Sequence, residues 1–194
     1  MGTASDGETE LIRLSAIDYF SGEILINSLV YPNVSMQHYN TRYSGVTRGD
    51  MERARRQMRC LFGRNAARMA LWRFVGPDTI IIGHSAQNDF ASLRWIHHCV
   101  VDSFLVEAEE RKKGETDAEN HKQQQPTNEK DRKEGKQDKQ GLSLKALAMR
   151  KLGRQIQTKG RKGHDSLEDA VTSRDLIYRH IETLITAVEP EAET

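Results

Sequence analysis

The chain has 194 residues, and its 29 basic and 28 acidic side chains leave a formal net charge of only +1. This balance does not suggest a strongly basic nucleic-acid-binding protein, although an overall charge conceals local patches. No apolar run approaches the roughly 18 residues that a membrane span requires, and the polar, acidic beginning of the chain is unlike a secretory signal. The length predicts one domain with a tail or an insertion.

The first part of the chain predicts a β-hairpin followed by two helices. Residues 11–19 and 23–30 are mostly apolar runs joined at Gly22, a pattern typical of two antiparallel strands. Thr47 followed by Asp50 has the pattern of a helix start, and the apolar positions after it predict an amphipathic helix that ends at Gly63. Apolar residues then indicate a second helix over 66–74.

Two short apolar strands are predicted next, at 79–82 and 99–101. The first leads through G-H-S-A-Q-N-D at 83–89 into a helical run, which places polar groups at the carboxyl end of a sheet, the usual ligand position in α/β folds. Asp89 and His84 are therefore candidate site residues, with a structural hydrogen-bonding role as the alternative for His84. Asp102 is interpreted as a structural cap or a substrate-side contact.

Residues 107–140 are almost entirely charged, amide or glycine residues without apolar periodicity. This composition predicts a disordered, solvated insertion; a nucleic-acid-binding segment is the alternative, which the mixed charge signs weaken. The chain is thus predicted to form a single domain from residues 1–106 and 141–190. Beyond the insertion, Ser143 and Gly153 mark the ends of another predicted helix.

The last predicted helix follows the segment G-H-D-S-L-E-D-A at 163–170. Ser166 and Asp169 have the spacing of a capping box. A carboxylate at a helix start beside His164 suits metal-assisted hydrolysis, in which one group holds a divalent cation and the other takes a proton from water. A helix cap beside a solvated imidazole is the plain alternative. Helical spacing predicts one buried face, made of Leu167, Ala170, Val171, Tyr178, Ile181, Leu184, Ile185 and Val188.

The order of elements predicts an α/β fold with a mixed sheet. Within it, four segments together resemble the fungal RNA exonucleases of the DEDDh class. They are T-R-Y-S-G-V-T at 41–47, I-I-G-H-S-A-Q-N-D-F at 81–90, H-H-C-V-V-D-S at 97–103 and G-H-D-S-L-E-D-A at 163–170. The resemblance covers nearly the whole chain outside the charged insertion, and it implies a ribonuclease H-like mixed sheet flanked by helices.

The resemblance also implies a chemistry, two-metal hydrolysis of a phosphodiester from the 3′ end of RNA. It makes Asp169 a metal ligand, His164 the general base for the attacking water, and Asp89 a further metal-supporting carboxylate. It places the 3′-terminal nucleotide near Arg42, Tyr43, Ser44 and Gly45. The implied cofactors are two divalent cations, Mg²⁺ or Mn²⁺, and the implied partner is single-stranded RNA, with no membrane.

Location is implied only at the level of the family. The family suggests the nucleus, with the cytoplasm as the alternative, and the separated cysteines Cys60 and Cys99 favour a reducing compartment over secretion. Arg161 and Lys162 beside His164 are candidates for phosphate contacts, with a solvated basic loop as an equal alternative.

The chain departs from the family at one point. The family's first motif, Asp-x-Glu in a D-C-E-M-type strand, has no counterpart, and Met1 corresponds to the end of that motif. Asp6 and Glu8 match the spacing, but the polar D-G-E segment predicts a loop. We therefore expect the first, central strand of the sheet to be missing, as in a clipped gene model, an alternative start or a degenerate paralogue.

Three hypotheses follow from this departure. The chain is a metal-dependent 3′–5′ exonuclease acting on RNA, or it binds RNA or a protein partner without cutting, or it is a fragment that does not fold alone.

Overall fold

The computed structural model describes residues 1–122, 140–158 and 163–188, and the side chains of residues 1–114, 141–158 and 163–188. The fold is mixed α/β, as predicted. Its strands are β1 (Gly2–Ala4), β2 (Thr9–Glu10), β3 (Arg13–Ile17), β4 (Ile24–Tyr31), β5 (Met36–His38), β6 (Cys60–Phe62), β7 (Ile81–Gly83) and β8 (Val100–Asp102). Its helices are α1 (Thr41–Ser44), α2 (Arg48–Arg56), α3 (Gly63–Leu71), α4 (Gln87–Leu93), α5 (Ser103–Lys122), α6 (Leu144–Leu152) and α7 (Ser166–Val188), with a 3₁₀ turn at Gln140–Leu142.

The predicted hairpin is confirmed, and it gains a third strand that the sequence did not indicate. Strand β3 pairs antiparallel with β4, and β6 pairs parallel with β4 through Leu29 and Cys60. The sequence predicted that α2 would continue to Gly63, but it ends at Arg56 because Met58 has a φ of 54°. A positive φ is incompatible with a right-handed helix, and the freed residues pair with the edge of β4 instead.

The described strands divide into three separate hydrogen-bonded sheets, in the orders β2-β1-β5, β3-β4-β6 and β7-β8. No described strand is hydrogen-bonded between β3 and β7, where the sequence predicted a missing central strand. Helix α7 packs against both β3 and β7, so it holds the two halves of the fold together.

The beginning of the chain forms a small hairpin of β1 and β2, which the sequence analysis did not predict. The D-G-E segment is the predicted turn: Asp6 accepts a hydrogen bond from the backbone N–H of Glu8 at 3.0 Å, and Gly7 has a φ of 87°. Glu8 forms an ion pair with Arg94 at 2.6 Å, and both side chains are exposed at the protein surface.

The prediction of disorder from residue 107 is wrong for the first part of the segment, because α5 continues to Lys122. Phe104 and Ala108 pack against the core cluster that α6 and α7 share. Glu107 is buried and pairs with Arg150 at 3.2 Å and with Lys151 at 3.5 Å. Cations from α6 compensate the charges of α5, and composition alone does not show this. Residues 123–139 lie outside the described part of the chain.

The start and the end of α7 both differ from the sequence prediction. Asp165, not Ser166, caps the helix: its carboxylate accepts the N–H of Leu167 at 3.1 Å, and Ser166 shares a hydrogen bond with Ser15 at 2.7 Å. The buried face comprises Thr172, Ser173, Leu176 and Ile177. The apolar residues further along are exposed, from 41% at Ile181 to 82% at Val188, because the helix extends past the elements that it packs against.

Candidate active site

The predicted general base and the predicted substrate segment lie side by side. The backbone N–H of His164 donates a hydrogen bond to the carbonyl oxygen of Tyr43 at 2.7 Å. The imidazole of His164 meets the ring of Tyr43 edge-on, with centroids 6.4 Å apart. Arg42 lies over the same ring, 5.9 Å from its centroid. The imidazole, the phenol and the guanidinium therefore face one surface, and Arg42 and Tyr43 are both exposed there.

Two glycines make this close approach possible. Gly163 has a φ of 73°, and a Cβ at this position would collide with the backbone nitrogen and Cα of Gly45. Gly45 itself ends α1 with a φ of 69°, and its N–H donates to the carbonyl of Thr41. Only glycine adopts this conformation without cost and leaves room for the second backbone. The segments that carry Tyr43 and His164 are thus in direct backbone contact.

Asp169 lies in the first turn of α7, partly buried, and Gln157 holds its carboxylate. The side-chain amide of Gln157 donates to Asp169 Oδ1 at 2.9 Å, and the backbone N–H of Gln157 donates to Glu168 at 2.9 Å. Desolvation raises the pKa of Asp169, while the hydrogen bond from Gln157 and the nearby His164 oppose that rise. The carboxylate is therefore fixed in direction and less well solvated than a surface acid.

Asp89 lies in the first turn of α4, in an open but deep position. Its surface reaches solvent, yet the protein around it desolvates the carboxylate and raises its pKa to about 6. The amino group of Met1 opposes this rise, whereas Asp102 and Asp169 add to it. Desolvation is the main cause of the raised pKa of Asp89, and repulsion from Asp102 and Asp169 is a smaller contribution.

His84 and Asp102 have structural partners. Asp102 accepts the N–H groups of Ser85 and Ala86 at 2.9 and 2.8 Å, so it ties β8 to the segment before α4. His84 Nδ1 is 3.0 Å from the hydroxyl of Ser103, which donates in turn to the carbonyl of Gly83. Burial lowers the pKa of His84, which favours a neutral imidazole. These contacts fit the structural alternative better than substrate binding by His84.

Two further contacts connect β3 to the start of α7. Arg13 forms an ion pair with Asp165 at 3.2 Å, and Ser15 contacts Ser166. Sequence reasoning overlooked Arg13 and Gln157. Arg13 lies within a predicted strand without any motif, and Gln157, with a φ of 56°, lies in a loop without a motif of its own. Arg161 and Lys162 lie outside the described residues.

The donor set determines whether the implied metals fit. In the part of the chain that the structure describes, no group of three or more His, Cys, Asp or Glu side chains could hold a metal ion. Carboxylate oxygens suit Mg²⁺ and Mn²⁺, and Asp89 with Asp169 contributes two such groups. A clamp of two ions on the attacking and leaving oxygens needs more ligands than these. The described residues therefore do not by themselves fit two divalent cations.

Comparison with curated proteins finds relatives along most of the chain, although no protein-family model matches it. RNA exonuclease 3 of Candida albicans is 27% identical over 188 residues, which is 97% of this chain and 38% of that protein. The human apoptosis-enhancing nuclease is 28% identical over 190 residues, which is 94% of this chain and 47% of that protein. The chain thus spans less than half the length of these relatives.

Comparison with solved structures finds the same fold in two Pan2 proteins. The Neurospora crassa Pan2 catalytic unit, with its protease and nuclease domain, has a TM-score of 0.65 at 21% identity, covering 92% of this chain and 25% of that one. The Saccharomyces cerevisiae Pan2 pseudoubiquitin hydrolase–RNA exonuclease module, in complex with AAGGAA RNA, has a TM-score of 0.64 at 24% identity, covering 94% and 26%. At this identity the likeness establishes the fold.

The fold is therefore the ribonuclease H-like α/β fold that the sequence predicted. The curated relatives are named as RNA exonucleases and nucleases, and they confirm the resemblance to 3′–5′ RNA exonucleases of the DEDD type that the four motifs predicted.

Proposed function

We propose that this chain supplies most of the active site of a metal-dependent 3′–5′ RNA exonuclease. His164 takes the proton from the attacking water, Asp169 and Asp89 are metal-binding carboxylates, and the segment of Arg42 and Tyr43 receives the 3′-terminal nucleotide. The observation that carries the proposal is the 2.7 Å hydrogen bond from the N–H of His164 to the carbonyl of Tyr43. It puts a base beside an exposed arginine and an aromatic ring, which suit a phosphate and a nucleobase.

The fixed carboxylates support the same reading. Asp169 is oriented by Gln157, and Asp89 interacts with Asp169 while remaining open to solvent. Acids whose pKa values are raised mainly by desolvation, as those of Asp89 and Asp169 are, are typical of functional sites. Because two carboxylates do not complete a two-ion site, hydrolysis requires further ligands, and the Asp-x-Glu strand of the resembling family is their natural source.

The test is a cleavage assay with a 5′-labelled single-stranded RNA, with and without Mn²⁺ or Mg²⁺. The 194-residue chain is compared with the same chain extended upstream by an Asp-x-Glu strand. We expect only the extended chain to trim from the 3′ end. Asp169→Asn should then lower the trimming rate by at least about 100-fold. Mutation of a residue that only supports a metal ligand costs up to about 100-fold, so loss of a ligand itself should cost at least as much.

The matched control is Asp78→Asn, which removes an exposed carboxylate outside the site and should leave trimming unchanged. An extended chain that fails to trim, or that trims at full rate with Asn at position 169, would contradict the proposal. Trimming by the shorter chain would show that other carboxylates complete the site, with Asp6 and Glu8 as the first to test.

The second candidate is an RNA-binding module that does not cut. The incomplete donor set among the described residues favours it. It predicts that the 194-residue chain binds single-stranded RNA with an affinity that falls with salt and does not shorten it. Failure to bind RNA at low salt would reject it.

The nuclear location that the family implies stays a prediction, and fluorescence imaging of the tagged protein in cells would check it.

A further inference from the structure

Positive charge is concentrated in one segment next to the proposed site. Residues 42–59 contain six arginines and two carboxylates, a net of four positive charges, so the rest of the chain carries a net of three negative charges. All six arginines are exposed. The near-neutral total therefore hides a strongly basic surface, the usual electrostatic footprint of nucleic-acid binding.

Two of these six arginines form salt bridges with described residues, and Arg42 belongs to the proposed site itself. Arg53 pairs with Asp50 at 3.3 Å, and Arg55 pairs with Glu52 at 3.0 Å. The remaining three on or beside α2, which we call the arginine track, are Arg48, Arg56 and Arg59, and they form no salt bridge to any described residue. Their charges remain available to phosphates.

An open groove of about 350 Å³ lies between the proposed site and Arg59, the one member of the arginine track that lines it. Gly45 lines it at one side, next to Gly163 and His164, and Arg59 lines it at another. Arg13 and Asn27 also line the groove, and Arg13 is bound to Asp165, the neighbour of His164. The groove is of a size that admits small ligands. Its lining offers guanidinium and amide donors together with one carboxylate, that of Asp50, which is paired with Arg53.

We propose that the groove and the arginine track bind the RNA strand upstream of its 3′ end, by its phosphates and without reading its sequence. This inference rests on the proposed function, because it takes the 3′-terminal nucleotide to lie at Tyr43 and His164. Because the groove begins beside Tyr43 and His164, the bound strand has a defined polarity. Its 3′ end lies at the site and its 5′ portion lies over α2. Single-stranded RNA is the occupant that the charge favours, because a protein partner would need a compensating acidic surface.

The experiment measures binding of two unstructured, 5′-fluorescein-labelled RNAs, of about 4 and about 20 nucleotides, by fluorescence anisotropy without added divalent metal. The test variant carries Arg48→Glu, Arg56→Glu and Arg59→Glu. The control variant carries Arg73→Glu, Lys145→Glu and Arg179→Glu, which changes the charge equally at exposed positions outside the groove and the α1 segment. A third variant has lysine at the three track positions.

We expect the test variant to bind the long RNA at least about tenfold more weakly and to bind the short RNA within about twofold of the parent chain. Loss of three phosphate contacts should reduce the slope of log affinity against log salt by about 2, at about 0.7 for each phosphate of a single strand. The control variant should match the parent for both RNAs, and the lysine variant should keep the long-RNA affinity because lysine also binds phosphate as a point charge.

The outcomes separate the two proposals. If the short RNA binds, but the track variant lowers the affinity for the long RNA no more than the control variant does, the arginine track does not bind RNA. The proposed function is then unaffected. If the track variant lowers the affinity for the long RNA but the short RNA does not bind the parent chain, the 3′-terminal nucleotide does not lie at Tyr43 and His164. If neither RNA binds the parent chain, both are overturned.

Discussion

At the scale of single residues, Asp89 combines access to solvent with a pKa of about 6. Desolvation favours its neutral form, so the folded chain holds this proton at pH values where the unfolded chain has released it. Stability from this source is complete below the ordinary aspartate pKa and is lost as the pH rises through about 6.

The first prediction therefore concerns Asp89→Asn, which replaces the carboxyl group with an amide that does not titrate. At pH 7.5 the variant should have a higher melting temperature than the parent chain, and the difference should shrink at pH 4.5. Thermal unfolding followed by circular dichroism at both pH values would measure it. A difference that does not change with pH would contradict the raised pKa.

Gly163 is the second residue with a sharp consequence, because its φ is positive and its α-carbon faces the backbone of Gly45. Gly163→Ala should move His164 away from Tyr43 and weaken binding of a short single-stranded RNA by at least about tenfold, which is about 1.4 kcal/mol. Anisotropy with the short RNA is the measurement.

Its matched control is Gly153→Ala. Gly153 has a φ of 62°, but a Cβ there would meet nothing within 4 Å. That substitution should cost about 1 kcal/mol of stability from backbone strain and leave RNA affinity unchanged. Equal effects of both substitutions on RNA binding would show that the contact between Gly163 and Gly45 is not what positions the site.

At the scale of elements, α2 has a start that its own sequence specifies. The hydroxyl of Thr47 accepts the N–H of Asp50 at 3.0 Å, and the carboxylate of Asp50 accepts the N–H of Thr47 at 3.1 Å. The sequence predicted a helix start from these two residues, and the structure shows that the start is a reciprocal capping box. The hydrogen bonds from Thr47 also hold the pKa of Asp50 below its usual range.

Removing the cap is the third prediction. Thr47→Ala should lower the free energy of unfolding by about 1 kcal/mol, and denaturant unfolding would measure the change. The control is Thr183→Ala, where the hydroxyl donates to the carbonyl of Arg179 within α7 and caps nothing, so the change should stay within about 0.5 kcal/mol. Equal losses in the two variants would mean that α2 does not depend on its cap.

Two other elements show why local patterns were insufficient. The β6 segment, with Cys60 paired to Leu29, is too short to show a period, so only its neighbour β4 makes it a strand. From residue 107 onward α5 has the composition of a solvated segment, yet Arg150 and Lys151 neutralise Glu107 and make its burial possible. In both cases the deciding partner is distant in sequence.

At the scale of the whole molecule, α7 connects the sheet that contains β3 to the sheet that contains β7. Only the first part of the helix is buried by these contacts. Leu176 and Ile177 are buried, whereas Leu184 and Ile185 are 53% and 54% exposed. The periodicity of the apolar residues continues along the helix, but the contact surface ends before it does.

The fourth prediction follows from that difference. Ile185→Lys should change the free energy of unfolding by no more than about 0.5 kcal/mol, as at other surface positions, whereas Leu147→Ala, at a fully buried position, should cost about 2–5 kcal/mol. Denaturant unfolding of both variants is the measurement. A loss of several kcal/mol at position 185 would show that the face is buried in solution, as its periodicity alone predicts.

The sequence by itself determined the mixed α/β class, the hairpin, most helix positions and the resemblance to RNA exonucleases. These depend on local periodicity, on caps and turns, and on four short motifs in a given order. Each is a property of residues close together in the chain.

Only the tertiary structure decided which of those residues meet. The hydrogen bond of His164 to Tyr43, the hold of Gln157 on Asp169, the ion pair of Arg13 with Asp165 and the division of the sheet beside β3 all join segments that are remote in sequence. The physical reason is that such contacts depend on how α7 packs across β3 and β7, and this packing reflects the shape and burial of the whole fold, not the propensity of any one segment.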